Sequence, residues 1–215
     1  DEIQRQVEEI GVTARFIPVD EGISRINLKL QNIEGTEING QGPAISKEKT
    51  QQLFDILDQL QEGDVLVLAG SIPASMPDDI YRNILKRLDG RGILIAVDAT
   101  KDLLVNVLEY HPFLVKPNNH ELGEIFGRSL TDYDDIVGCA MHLQEEGARN
   151  VLVSMGADGA ILVTENGQVF SSPAPKADDL SQELVDVNGA GDAMVAGFLA
   201  GYLERHSMVD GFATG

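Results

Sequence analysis

The sequence predicts an α/β protein, with a mostly parallel sheet held between two layers of helices and a small β flap at its front edge. Three observations carry this. Segments 64–70, 92–98, 112–116 and 150–154 are continuous apolar runs between polar ends, the length of buried strands. Before and between them, apolar residues recur at helical spacing, as Leu53, Ile56, Leu57 and Leu60 do. Ahead of both, 13–19 and 24–30 alternate apolar and polar residues, the period of a half-exposed antiparallel strand.

Taken in order, 13–19 and 24–30 are expected to pair as a hairpin through Asp20-Glu21-Gly22. The character changes after Gly40-Gln41-Gly42-Pro43, where a helix over 47–60 leads at once into the first core strand. A helix over 77–88 then precedes strand 92–98, and one over 102–109 precedes strand 112–116. Helices over 119–126 and 131–146 precede strand 150–154. A hairpin over 159–164 and 167–171 follows, and a last long helix spans 190–203. The chain reads as one domain over 1–215, with the flap at 12–45 and the α/β core at 46–215.

Composition narrows the function. The chain has 215 residues, enough for a substantial core. Its net charge of −19 disfavours a nucleic-acid backbone or an anionic membrane face as partner, so positive charge for an anionic ligand has to be local. Cys139 is the one cysteine, which leaves no intrachain disulfide and points to a reducing, cytoplasmic compartment. It also removes any CxxC zinc site, and the four histidines are scattered. No apolar run is long enough for a membrane-spanning helix, and no secretory pattern opens the sequence.

In open α/β sheets ligands sit outside the carboxyl ends of the strands, so the residues that follow each strand form one candidate list. These are Gly70-Ser71, Asp98-Ala99-Thr100, Lys116 to Glu121, Ser154 to Gly159, and Asp186 to Asp192. Small polar residues and carboxylates dominate, which suits phosphate and magnesium. The most informative stretch is Gly189-Ala190-Gly191-Asp192 at the start of the last helix. Small residues there leave backbone N–H groups free to meet an anion, and the helix dipole adds favourable potential. Asp192 is placed to accept a proton from a hydroxyl attacking a phosphoryl group, or else simply caps the helix. A dinucleotide GxGxxG would need glycine where Met194 stands, and GxxxxGK[ST] occurs nowhere.

At these residues the sequence resembles a known family. Asp186 to Asp192, with Ala196-Gly197-Phe198, is similar to the C-terminal signature of the ribokinase-like sugar kinases, the phosphofructokinase-B family. Asn118-Asn119-His120-Glu121 resembles its NxxE motif, Ser154 to Gly159 its nucleotide loop, and Ala69-Gly70-Ser71-Ile72-Pro73 its S-G-S-x-P. Ser24 to Lys29 and Thr36 to Pro43 look most like the flap of the branch that phosphorylates ketose monophosphates.

The resemblance implies a three-layer ribokinase-like fold and ATP-dependent phosphorylation of a phosphosugar. Fructose 1-phosphate, converted to fructose 1,6-bisphosphate, is the leading substrate, with tagatose 6-phosphate as the alternative. It implies Asp192 as catalytic base and Gly189, Ala190 and Gly191 as anion hole. Asn118, Glu121, Ser154, Gly156, Ala157 and Gly159 would serve ATP and Mg²⁺, with Glu121 meeting the metal directly or through water. Arg25 would meet the sugar phosphate, Asn27 the sugar, and Ser71 the substrate. A potassium site at Asp186, beside Asn188, is left open, and a homodimer formed through the flap is expected. Other partners are small molecules.

Each residue also has a plainer reading. Glu121 could be a solvated helix carboxylate, Arg25 a surface cation and Ser71 a turn cap before Pro73. Asp98 is either a polar strand end or a group standing behind the site. Cys139 reads as a buried structural thiol, the histidines as structural or surface groups. The family's first strand, with its sugar-binding Asp and Gly-Gly loop, has no counterpart in this chain. Residues 1–10 read as the tail of the helix after them, and 211–215 resemble the start of the next helix, so the chain is expected to be a fragment. An inactive, nucleotide-binding fragment is therefore the other functional expectation.

Overall fold

The computed structural model describes residues 2–29, 37–40, 42–70, 72–175 and 189–215. They form two compact units, Asp1–Leu60 with Ile72–Ile80, and Gln61–Ser71 with Tyr81–Gly215.

The first unit holds α1 (Glu2–Glu9), β1 (Asn27–Lys29), β2 (Glu37–Asn39) and α2 (Lys47–Leu57). Helix α1 buries no residue and is laced by Arg5, which pairs with both Glu2 and Glu9. Ser46 caps α2, its Oγ accepting from the Lys49 N–H at 3.2 Å. The hairpin differs from the one expected. Residues 13–19 form no strand, and β1 pairs antiparallel with β2, Leu28 facing Ile38. Two physical reasons favour this pairing. Pro18 has no N–H to give a ladder. The strands approach so closely that the Gly40 N–H reaches the Ile26 carbonyl at 2.9 Å, where a Cβ would stand 2.7 Å from that oxygen. Ile26, Leu28 and Ile38 lie exposed, at 66%, 50% and 57%.

The second unit is the α/β core. In chain order it has β3 (Val65–Ala69), α3 (Ile80–Leu88), β4 (Leu94–Asp98), α4 (Lys101–Val105), β5 (Leu114–Val115), α5 (Asn119–Ile125) and α6 (Tyr133–Glu145). Then come β6 (Val151–Ser154), β7 (Ala160–Val163), β8 (Val169–Ser172), α7 (Ala190–Arg205) and α8 (Met208–Thr214). The six strands lie in the sheet in the order of the chain. The first four are parallel, β7 runs opposite to them and β8 opposite to β7, so the sheet is mostly parallel as expected.

Alternate residues feed two layers. Ala96, Leu114, Leu152, Ala160 and Leu162 pack under Val195, Phe198 and Leu199 of α7. Helices α5 and α6 pack against β6, and α6 also against β7. Between α7 and α8 the backbones nearly touch, since a Cβ on Gly201 would lie 2.6 Å from the Asp210 carbonyl oxygen. Cys139 is buried, as expected, with the Arg128 guanidinium 3.0 Å from its sulfur. Among the described residues no helix is long and apolar enough to cross a membrane.

Candidate functional site

The carboxyl ends of β3, β4 and β5 bring the post-strand residues of the second unit together. At β3, the carbonyls of Ala69 and Gly70 both accept from the Tyr81 hydroxyl, at 2.9 and 3.1 Å. Ser71, Asp186 and Asn188 lie outside the described residues. At β4 and β5 the parallel register sets Val97 beside Val115. The next residues, Asp98 and Lys116, therefore stand side by side, and their side chains pair at 3.1 Å. Lys116 is buried, unusual for a lysine and tolerable here because it is paired.

Helix α7 starts beside this pair. Its N-cap is Gly189, at φ +77°, a conformation that a residue with a side chain seldom takes. Asp192 is therefore not the cap, which removes its plainer reading. It sits exposed in the first turn, below the N–H groups of Ala190 and Gly191 that have no partner within the helix. Gly191 faces the lysine, because a Cβ there would lie 3.2 Å from Lys116 Nζ.

The Asp98 carboxyl feels its neighbours. Burial pushes the Asp98 carboxyl above its ordinary value; Lys116 pulls the other way, and the charge of Asp192 adds to the rise. The Tyr81 hydroxyl is raised too, by burial first and then by Asp98. The folded protein thus holds the Asp98 proton more tightly than the unfolded chain does. Its contribution to stability is full below the unfolded value, about 3.9, and is lost as pH rises through the higher folded one. The stability difference between the wild type and Asp98→Asn should therefore shrink as pH rises above about 4. Chemical denaturation across pH 3.5–7 checks this, and a difference that grows with pH contradicts it.

At α5, Asn118 and Glu121 form a reciprocal capping box. Asn118 Oδ1 accepts from the Glu121 N–H, and Glu121 Oε2 from the Asn118 N–H, both at 2.8 Å. This engages both residues structurally and leaves Glu121 Oε1 as the remaining carboxylate oxygen. A hard cation would fit there through Oε1 and bound water, and would not find a cage of protein ligands. Among the described residues there is no group of three or more His, Cys, Asp and Glu side chains able to hold a metal.

A bridge between Asn118 and Ser154 joins this helix start to the turn after β6. That turn is a 3₁₀ segment, Gly156–Asp158, between antiparallel strands. Gly156 and Ala157 are exposed on its crest, whereas Gly159 is buried at its base. Arg25 and Asn27 belong to the first unit, where Arg25 Nε donates to Asn27 Oδ1 at 2.7 Å.

Sequence reasoning listed Lys116 and Asp98 as post-strand residues without seeing them as a pair. Tyr81 carried no signal, being one aromatic residue on an amphipathic helix.

A family model described as pfkB family carbohydrate kinase matches residues 1–215. A 1-phosphofructokinase of Bacillus subtilis is 43% identical over 194 residues, covering 90% of this chain and 62% of that protein. A D-tagatose-1-phosphate kinase of Bacillus licheniformis is 32% identical over 198 residues, 92% of this chain and 63% of that protein. The chain thus spans a little under two thirds of the length of these curated relatives. The phosphofructokinase-2 of Escherichia coli, in complex with substrates and products, matches with a TM-score of 0.83 over 98% of this chain and 68% of that one. At 23% identity that likeness is one of fold. With the family model matched from the first residue to the last, the chain belongs to the pfkB family of carbohydrate kinases.

Proposed function

We propose that this chain carries the phosphoryl-transfer site of an ATP-dependent kinase acting on a ketose 1-phosphate, with fructose 1-phosphate as substrate and fructose 1,6-bisphosphate as product. The observation that carries the reading is the start of α7. There, free N–H groups and the acid Asp192 share one helical turn, against the buried ammonium of Lys116. The name of the 43% identical relative supports the substrate.

In this reading the Asp192 carboxylate takes the proton of the sugar's primary hydroxyl as its oxygen bonds to the γ-phosphorus. The bond from that phosphorus to the bridging oxygen breaks, and ADP leaves with the electron pair. The N–H groups around Gly189, Ala190 and Gly191 receive charge on the transferring oxygens. Asn118 and Glu121 would hold Mg²⁺, whose chemistry is neutralisation of charge across the ATP phosphates. The turn at Ser154, Gly156 and Ala157 faces the nucleotide, with Gly159 shaping it. Arg25 is assigned to the sugar phosphate and Asn27 to the sugar, with Ser71 also on the substrate. Potassium at Asp186 stays outside the described residues. The lone, buried Cys139 supports a cytoplasmic setting.

A second reading replaces the substrate by a tagatose phosphate, favoured by the name of the 32% identical relative. Tagatose 1-phosphate offers the same primary hydroxyl and differs from fructose 1-phosphate in configuration at one carbon. Sugar-dependent ADP release should be measured on this chain and on the complete gene product. Fructose 1-phosphate, tagatose 1-phosphate, tagatose 6-phosphate, fructose 6-phosphate and ribose serve as acceptors. Selective turnover with fructose 1-phosphate is expected. ATP binding without turnover in either protein would replace the reading by nucleotide binding alone.

The same reading includes a homodimer formed through the β1–β2 flap, supported by its exposed Ile26, Leu28 and Ile38. Sedimentation should find a dimer that Leu28→Lys converts to monomers. A monomeric wild type would overturn this.

A further inference from the structure

Tyr81 is the second residue of α3, and its ring is buried. Helical side chains lean toward the amino end of their helix, so the ring reaches back to the carboxyl end of β3. There the hydroxyl donates to two successive main-chain carbonyls, Ala69 at 2.9 Å and Gly70 at 3.1 Å. It has one proton for both, which they share. In the parallel register Ala69 stands beside Asp98, so the contact lies at the same edge of the sheet as the Asp98–Lys116 pair. Burial and then the charge of Asp98 raise the Tyr81 hydroxyl above its ordinary value, which keeps it a donor at neutral pH.

Packing explains the ring but not the hydroxyl, since a phenylalanine would fill the same space. Nor do the two carbonyls need this donor for satisfaction, because Ala69 and Gly70 are exposed and water is at hand. What the hydroxyl supplies is direction. It turns two consecutive carbonyls toward α3 at the point where the strand ends, and Gly70, at φ +84°, bends the chain out of the sheet there. A Cβ on Gly70 would meet nothing within 4 Å, so the glycine serves the bend itself and not a close approach. The chain leaves the second unit after residue 71 and returns to it at Tyr81. One hydroxyl thus ties the exit to the return.

We infer that Tyr81 is a positioning residue for the phosphosugar: its hydroxyl fixes the bend at Gly70, from which the chain passes directly to Ser71, the residue assigned to the substrate. This rests on the phosphoryl-transfer reading above. The hydroxyl touches neither sugar nor nucleotide, and no bond to it is made or broken. It supports a binding contact that is the same before and during the chemical step, so its loss belongs in KM and not in kcat. The rival account is a plain fastening of α3 to β3, whose removal would lower stability alone.

The test is a double-mutant cycle of Tyr81→Phe and Ser71→Ala in the complete gene product, with Asp192→Asn alongside. Each variant is measured for melting temperature, for KM and kcat with fructose 1-phosphate, and for ADP affinity. Tyr81→Phe keeps the ring and should melt about 2–4 °C below the wild type, the effect of one lost hydrogen bond. Its KM for the sugar phosphate should rise about 10-fold. Its kcat should stay within about threefold of the wild type, and its ADP affinity within about twofold. Ser71→Ala should raise KM by a similar factor. In the double variant KM should be no higher than in Ser71→Ala, because the hydroxyl then holds a bend that carries no contact. The melting temperature should still fall by the same increment, so stability adds where binding does not.

A KM within about twofold of the wild type in Tyr81→Phe, beside a lowered melting temperature, overturns the inference and leaves a fastening. KM losses that add in the double variant, or an unchanged KM in Ser71→Ala, overturn the action through Ser71. An ADP affinity that falls along with sugar affinity marks a general loosening of the edge and overturns the inference as well. If the wild type shows no sugar-dependent turnover, or Asp192→Asn is fully active, the phosphoryl-transfer reading itself has failed and the inference falls with it.

Discussion

Asp192→Asn is expected to lower turnover by about 100- to 10,000-fold while leaving nucleotide affinity unchanged or slightly tighter. The substitution keeps the shape of the side chain and removes its ability to take a proton. It also removes a negative charge from the turn where N–H groups await an anion, so binding of ATP or ADP has no electrostatic reason to weaken. The two readouts therefore separate. A structural role would depress stability and affinity together, whereas a base depresses only the chemical step. Because Gly189 caps α7, helix stability should scarcely change. The Asp98 carboxyl, relieved of one neighbouring charge, should release its proton more easily. Steady-state kinetics beside isothermal titration with ADP decides the matter. Turnover within threefold of the wild type would remove Asp192 from the mechanism.

The largest effect on folding is expected from Gly159→Ala. Gly159 sits at φ +94° and ψ −136°, a region that residues with side chains avoid. A Cβ there would lie 2.0 Å from the Ser172 carbonyl oxygen and 2.8 Å from backbone atoms of Pro173 and Ala174. All three are main-chain neighbours, so no side-chain rotation relieves the clash, and β8 would have to separate from the turn. About 3 kcal/mol or more should be lost, a fall in melting temperature on the order of 10 °C for a protein of this size. Gly156→Ala is the control within the same turn. Gly156 also has a positive φ, +58°, but a Cβ would meet nothing within 4 Å, so only strain of about 1 kcal/mol is expected. Calorimetry on the two variants tests the difference, and equal melting temperatures would refute it. The result would also divide the motif, with Gly159 kept by the fold and Gly156 open to a ligand.

What could be read from the sequence follows from what periodicity encodes. The core strands were legible because a strand covered on both faces must be apolar at every position, as 95–97 and 151–153 are. The flap was legible as β structure and misread in its pairing. Alternation states which residues share a face, but not which segment lies opposite; that was set by Leu28 meeting Ile38 and by the close approach at Gly40. The site divides likewise. The glycine-rich start of α7 announced itself through residue type alone. Lys116 and Asp98 could not be paired from sequence, because their contact depends on β4 and β5 being neighbours in parallel register. Asn118 and Glu121 show a different ambiguity: the spacing N-x-x-E is both a family motif and a capping box, and the same atoms satisfy the second.

The succession of strands β3 to β8, each beside the one before it, bears on how the protein is made. A chain emerging from the ribosome can dock every new strand onto a partner already synthesised, closing only one connection at a time. The covering of the sheet follows another timetable. Helices α5 and α6 are in place before β6 is finished, yet Ala96, Leu114 and Leu152 wait for α7, which is translated after all six strands. Until residue 199 has left the ribosome, the nascent protein carries a half-dressed sheet with one greasy face open. That is the interval in which a chaperone, or a neighbouring nascent chain, would find it.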